Sequence, residues 1–237
     1  MSDAIFFGAH PDDVELTSGG LAALLASHGH AVAIADLTQG ELGTRGDVET
    51  RSREAAAAAS ALRVATRENL GLPDGGLDRH DRPQLVAVVE CLRRHRPALV
   101  VAPDANDAHP DHIEASHLVT RACYLAGLAR YPAAGEPFRP ARLLYALYRG
   151  DSRAHLVVDV TPVWARRVAA LAAHSSQLDP AAGPATYLTA PGFLAEVEAR
   201  ARVLGALAGG TFGEGYRSRG PLALADARAL LGRGRFA

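Results

Sequence analysis

Ala4-Ile5-Phe6-Phe7-Gly8-Ala9 runs directly into His10-Pro11-Asp12-Asp13. The first six residues are a continuous apolar run of strand length, the pattern of a strand buried on both faces of a parallel sheet. The next four carry chemistry. In open α/β sheets ligands bind outside the carboxyl ends of the strands. His10 and Asp13 therefore stand, three positions apart across a tight turn, where side chains from several strands converge. Pro11 fixes one backbone dihedral and removes a donor. Asp12, between the two, can point at the same space without being a ligand.

Working outward, residues 31–37 and 98–102 repeat the apolar strand pattern. Helical stretches lie between them: 18–28 closed by Gly29, alanine-rich 48–62, and 83–94 with Leu85, Val88, Val89 and Leu92 on one side. Residues 66–70 read as a short strand and 111–128 as a helix. This alternation predicts an α/β fold, a mostly parallel sheet with helices on both faces. The second half is less regular. Residues 143–148 and 155–160 read as strands, Thr161-Pro162 starts a helix, and Thr189 to Pro191 opens another running to about Leu207. Residues 209–220 are glycine-rich and read as a loop, over the site, at a subunit contact or simply on the surface. Neither a repeat nor a boundary interrupts the chain, and its 237 residues fit one domain spanning 1–237.

His109-Pro110-Asp111-His112 follows the strand at 98–102, at the same edge of the expected sheet. The two motifs share His-Pro-Asp on two strand ends that a parallel sheet would bring together. Jointly they supply His, Asp and His for a metal and leave an Asp and a His over. Three protein ligands with one open position is the catalytic zinc pattern, whereas structural zinc sites are closed by four. With a spare carboxylate as base, such a set suits hydrolysis of an amide or ester.

Composition narrows the alternatives. Hydrophobic residues make up 48% and charged residues 22%, so a packed core is affordable and wholesale disorder is excluded. A net charge of -1 does not suit a general nucleic-acid binder. All 25 basic residues are arginine, which rules out a P-loop lysine and a Schiff-base amine. Cys91 and Cys123 fall in helical segments and read as small core hydrophobes, since two lone thiols make neither a disulfide framework nor a zinc cluster. Ile5-Phe6-Phe7 is too short for a leader and nothing is long enough to span a membrane, so a reducing, cytoplasmic setting is expected. Trp164 reads as core, His117 as structural, and His28, His30 and His95 as surface residues near helix ends. His174 is expected to stay away from the site.

At AHPDD and HPDH the chain resembles the PIG-L, or LmbE-like, deacetylase family. Further stretches, Leu37 to Gly46, Glu49 to Ala55, Asn69 to Gly75, Tyr124-Leu-Ala-Gly-Leu and Glu198-Ala-Arg200-Ala-Arg202, resemble the branch that deacetylates N-acetylglucosaminyl-malate in bacillithiol biosynthesis. The resemblance implies a Rossmann-like fold and one divalent metal, usually zinc and sometimes ferrous iron. It implies His10, Asp13 and His112 as ligands, Asp12 as general base and His109 as the group that stabilises the oxyanion or protonates the leaving amine. Asp111 would orient His109, Arg51 would meet the substrate, and an amino-sugar substrate and a homo-oligomer, possibly hexameric, are implied. Ala108 departs from the arginine often found before HPDH, which leaves one anion contact to Arg45 or Arg139. Rival readings are a deacetylase of a chitin-derived or mycothiol-type substrate, a non-haem iron oxygenase with the same His/His/carboxylate set, and a non-catalytic binder.

Overall fold

The computed structural model describes residues 1–148 and 153–222. The opening apolar run is β1 (Ala4–Gly8), followed in the chain by β2 (Val32–Thr38), β3 (Thr66–Leu72), β4 (Leu99–Pro103) and β5 (Arg142–Ala146). These five pair in parallel. With β6 (Leu156–Asp159) and β7 (Gly213–Ser218) they make one seven-stranded sheet of order β3-β2-β1-β4-β5-β7-β6, in which β7 runs antiparallel to both neighbours. The helices are α1 (Asp13–Thr17), α2 (Gly19–Ser27), α3 (Val48–Leu62), α4 (Arg82–His95), α5 (Pro110–Leu125), α6 (Trp164–Ala173), α7 (Ser175–Leu178) and α8 (Phe193–Ala208).

Alternation along β1 divides the core. Ile5 and Phe7 pack with Leu85, Val88, Leu118 and Val119 of α4 and α5. Ala4 and Phe6 pack on the other face with Leu21, Ala58, Leu62 and Ala170 of α2, α3 and α6. Both faces are therefore dry, and complete burial of a side chain such as Ile5 or Phe6 contributes roughly 1.5–3 kcal/mol. Helix starts follow local chemistry: the Asp47 side chain accepts Thr50 N–H at the head of α3, and Asp81 accepts Gln84 N–H at the head of α4. The expected α/β architecture is the one present.

The second half departs from expectation. Residues 209–220 are not a loop, because they contain β7. Glu214 of that strand is buried, and its carboxylate accepts Gly20 N–H at 2.7 Å, Leu21 N–H at 2.8 Å and the Tyr216 hydroxyl at 2.7 Å. It also lies 3.3 Å from Arg167. A strand residue thus caps the amino end of α2. Thr161 does not begin α6 directly; its hydroxyl accepts Thr211 and Phe212 N–H, and a short 3-10 turn (Thr161–Val163) precedes the helix. The short α1, starting at Asp13 itself, is an element the sequence pattern does not announce. Trp164 stacks on Phe212 with ring centroids 4.2 Å apart, which places it with the core. Among the described residues, no helix is long and apolar enough to cross a membrane.

From β1 the chain moves outward through β2 to β3, then returns to the far side of β1 to lay down β4. Loops leaving β1 and β4 diverge at this switch point, and a crevice opens between them.

Candidate metal centre and cavity

His10 leaves the end of β1 and His112 sits in the first turn of α5, after β4. Between them lies Asp13. His10 Nδ1 is 3.5 Å from Asp13 Oδ2, and His112 Nε2 is 3.2 Å from Asp13 Oδ1. One nitrogen of each ring thus faces a different oxygen of a single carboxylate. The opposite nitrogens are also held. His10 Nε2 lies 3.1 Å from Asp74 and 3.3 Å from Asp111, and His112 Nδ1 lies 3.0 Å from Asp107.

This donor set fits a divalent cation. Asp13, Asp74, Asp107 and Asp111 surround two imidazoles, an excess of negative charge in a largely buried space. Burial opposes charge on both rings, yet the carboxylates outweigh it, pushing His10 up to about 12 and His112 up to about 10. Burial likewise disfavours ionised Asp13, but His112 and His10 hold it well below the usual carboxylate range. Imidazoles whose far nitrogens rest on carboxylates are the usual form of metal-binding histidines. Two ring nitrogens and a carboxylate oxygen suit zinc or ferrous iron.

Asp12 stands beside this centre with φ of 136°, a conformation that strains a non-glycine residue. Burial lifts its carboxyl to about 6, against the pull of Arg51, whose Nη2 is 3.5 Å away. Arg51 also donates to Gly40 O at 3.0 Å and Pro11 O at 2.9 Å. The guanidinium expected to meet substrate therefore braces the loops around Asp12 as well as lining the cavity. Gly40 makes room for it: φ is 69°, and a Cβ there would come within 2.0 Å of Arg51 Nη1.

His109 opens to the cavity, its ring stacked on His112 at 4.7 Å and edge-on to His10 at 4.8 Å. Its Nδ1 accepts the Asp111 backbone N–H at 3.2 Å. The neutral ring must then carry its proton on Nε2, a donor with no hydrogen-bond partner among the described residues. Burial, with the His112 and His10 charges, lowers its pKa and favours that neutral form. Asp111 was expected to orient His109 through its side chain. Its carboxylate instead accepts Gly75 N–H at 2.8 Å and reaches His10, so only its backbone serves His109.

The cavity has a volume of about 990 Å³ and is bounded by His10, Asp12, Arg45, Tyr148, Tyr187 and Arg200, among others. Arg45 is buried at 3% exposure. One of its nitrogens donates to Asp179 O, while Nε and Nη1 are buried without partners among the described residues. Arg139 is elsewhere, over the Tyr124 ring at 4.4 Å, and is no anion contact for this cavity. Arg202 pairs with Glu198 on an exposed face, whereas Arg200 lines the cavity. His174 is fully buried, 3.4 Å from Glu15, and does not line it. Asp74, Asp107, Tyr148 and Arg200 join the site without having been legible as site residues in the sequence. Asp74, in the Leu-Pro-Asp-Gly turn after β3, and Arg200, in Glu198-Ala-Arg200-Ala-Arg202, carried a signal only as parts of the stretches that resemble the family branch.

Known proteins resemble this chain in sequence and in fold. A curated relative from Rhodococcus erythropolis, 1D-myo-inositol 2-acetamido-2-deoxy-alpha-D-glucopyranoside deacetylase, is 33% identical over 172 residues, 59% of this chain. The chain spans 58% of that relative's length. A deacetylase of the same name, numbered 1, from Saccharopolyspora erythraea is 32% identical over 232 residues, covering 72% of this chain and 76% of its own. Among solved structures, the conserved protein TT1542 from Thermus thermophilus superposes with a TM-score of 0.87 at 35% identity, covering 95% of this chain and 98% of its own. Residues 5–123, which hold β1, β4 and both histidine motifs, match the family described as PIG-L, GlcNAc-PI de-N-acetylase. With the motifs, the sheet and the relatives in agreement, the chain belongs to the PIG-L family.

Proposed function

We propose that this chain is a metal-dependent amide hydrolase that removes the N-acetyl group from an N-acetylglucosamine glycoside. The observation that carries the reading is the convergence of His10, Asp13 and His112 beside two further groups, Asp12 and His109, that face the same cavity. A divalent ion held by His10, Asp13 and His112 would supply Lewis acidity to polarise the acetamide carbonyl and acidify water. Zinc is the proposed ion, with ferrous iron as the other metal that suits the set.

Asp12, with a carboxyl poised near neutrality, takes a proton from the attacking water. His109 Nε2–H donates to the carbonyl oxygen as negative charge grows there, a contribution of about 3–4 kcal/mol for a well-placed donor. Asp74 and Asp111 hold the His10 ring and Asp107 holds His112, so neither needs to reorganise during the reaction.

The glycoside's other half distinguishes two readings. The curated relatives act, by name, on an inositol glycoside, which supports a mycothiol-type substrate. Arg45, buried in the cavity wall with two nitrogens that have no partner among the described residues, supports an anionic aglycone such as malate, because a buried guanidinium without a counter-charge is costly. The full chain is incubated with N-acetylglucosaminyl-inositol, N-acetylglucosaminyl-malate and N-acetylglucosamine, with and without a chelator, and released amine is measured. Amine release that the chelator does not suppress, or none from any of the three, sinks the proposal. The hexamer implied by the resemblance is read by sedimentation of the same preparation.

A further inference from the structure

Toward the amino ends of the strands, opposite the catalytic loops, α4 and the edge strand β3 gather a second set of metal-type donors. Cys91 and His95 lie four residues apart on α4 and so share a helix face. Glu68 of β3 meets them, its Oε1 3.3 Å from Cys91 Sγ and 2.7 Å from His95 Nε2. The three donor atoms lie within 4.8 Å of one another. Ser2 Oγ is 3.0 Å from His95 Nδ1, which turns Nε2 inward. His95 is therefore not the surface residue its place at a helix end suggested; its side chain is only 11% exposed. Cys91, expected to be a plain core residue, is buried in the core and also touches a carboxylate.

We propose that Glu68, Cys91 and His95 form a second metal site for a zinc-class divalent ion, separate from the His10–Asp13–His112 centre and independent of the reaction assigned to it. Sulfur, imidazole nitrogen and carboxylate oxygen are a donor mixture that zinc accepts, and hard cations such as magnesium do not take thiolates. Burial, aided by Glu68, holds the free thiol protonated, so the sulfur ligates by exchanging its proton for the ion. His95 binds through Nε2 and donates Nδ1–H to Ser2 Oγ. Glu68 supplies Oε1 while Arg94 keeps Oε2, at 2.7 Å. The ion would tie an edge strand to the last turns of α4, where β3 has, among the described residues, a neighbour on one side only.

Cobalt(II) loading of the full chain tests this. The expected result is a thiolate-to-cobalt charge-transfer absorption, which the sulfur-free catalytic set cannot produce. Cys91→Ser abolishes the band and binds one zinc equivalent less than the parent by elemental analysis, with amine release unchanged. His95→Gln gives the same loss and serves if Cys91→Ser does not fold. A parent protein without the band, or a band that survives in either variant, overturns the proposal.

Discussion

The Asp107 carboxylate lies 3.0 Å from Nδ1 of His112, on the side of the ring turned away from Asp13. It fixes both the tautomer and the direction of the nitrogen offered to a metal. Asp107→Asn should weaken metal binding about 10–100-fold, read by competition with a chelator of known affinity. An unchanged affinity would show that His112 needs no such support.

Asp12 touches neither His10 nor His112 at hydrogen-bond distance among the described contacts, which separates binding of the ion from proton transfer. Asp12→Asn keeps the size and shape of the side chain, so it adds no new demand on the strained backbone at this position. The variant should retain its metal by elemental analysis and lose ~10²–10⁴-fold in kcat. Wild-type turnover would remove Asp12 from the reaction.

Much of this arrangement is legible along the chain, for a physical reason. Central parallel strands are apolar on both faces, so residues 4–9, 31–37 and 98–102 stand out without reference to anything distant, and one histidine motif follows the first of them directly while the other lies a short loop beyond the third. β7 hides because its packing demands the opposite composition. A Cβ on Gly215 would come within 3.2 Å of the Ala154 and Leu147 side chains, and Glu214 turns inward only because helix N–H groups and Arg167 await it. Asp107 is silent for a similar reason, since its significance lies in a contact with His112 that no spacing records. Asp111 misleads from within its own motif: proximity in sequence suggests His109, while the side chain crosses to His10.

Arg45 separates the two substrate readings. Arg45→Gln keeps a polar side chain and discards the charge. If the aglycone is anionic, KM for that substrate should rise roughly 10–100-fold, the equivalent of about 1.5–3 kcal/mol for a hydrogen bond to a charged group, with KM for the neutral inositol glycoside nearly unmoved. Equal effects on both substrates would assign Arg45 to holding residue 179 in place rather than to substrate.

Glu214 should be worth more to stability than its place in a glycine-rich strand suggests. Glu214→Ala strips Arg167 of its carboxylate and uncaps α2. Removing one partner of a buried ion pair costs about 3–5 kcal/mol, which a shift in the urea midpoint at constant slope would report. A midpoint within error of the parent would mean that Arg167, which also donates to Glu15 O and Leu16 O, is satisfied by those carbonyls alone.

The insertion of β7 between β5 and β6 sets the order in which a nascent chain can assemble. Among the described residues β6 pairs with β7 alone, so that pairing waits until residues 213–218 have left the ribosome. The catalytic centre draws on residues 10–112, all of which are synthesised before β7, whereas the far edge and the cap on α2 close in a late step that joins Glu214 to Gly20 and Leu21. Translation paused shortly before Gly213 would thus leave a nearly complete metal centre on a sheet with an open seam beside β5, the species a chaperone or protease would meet first.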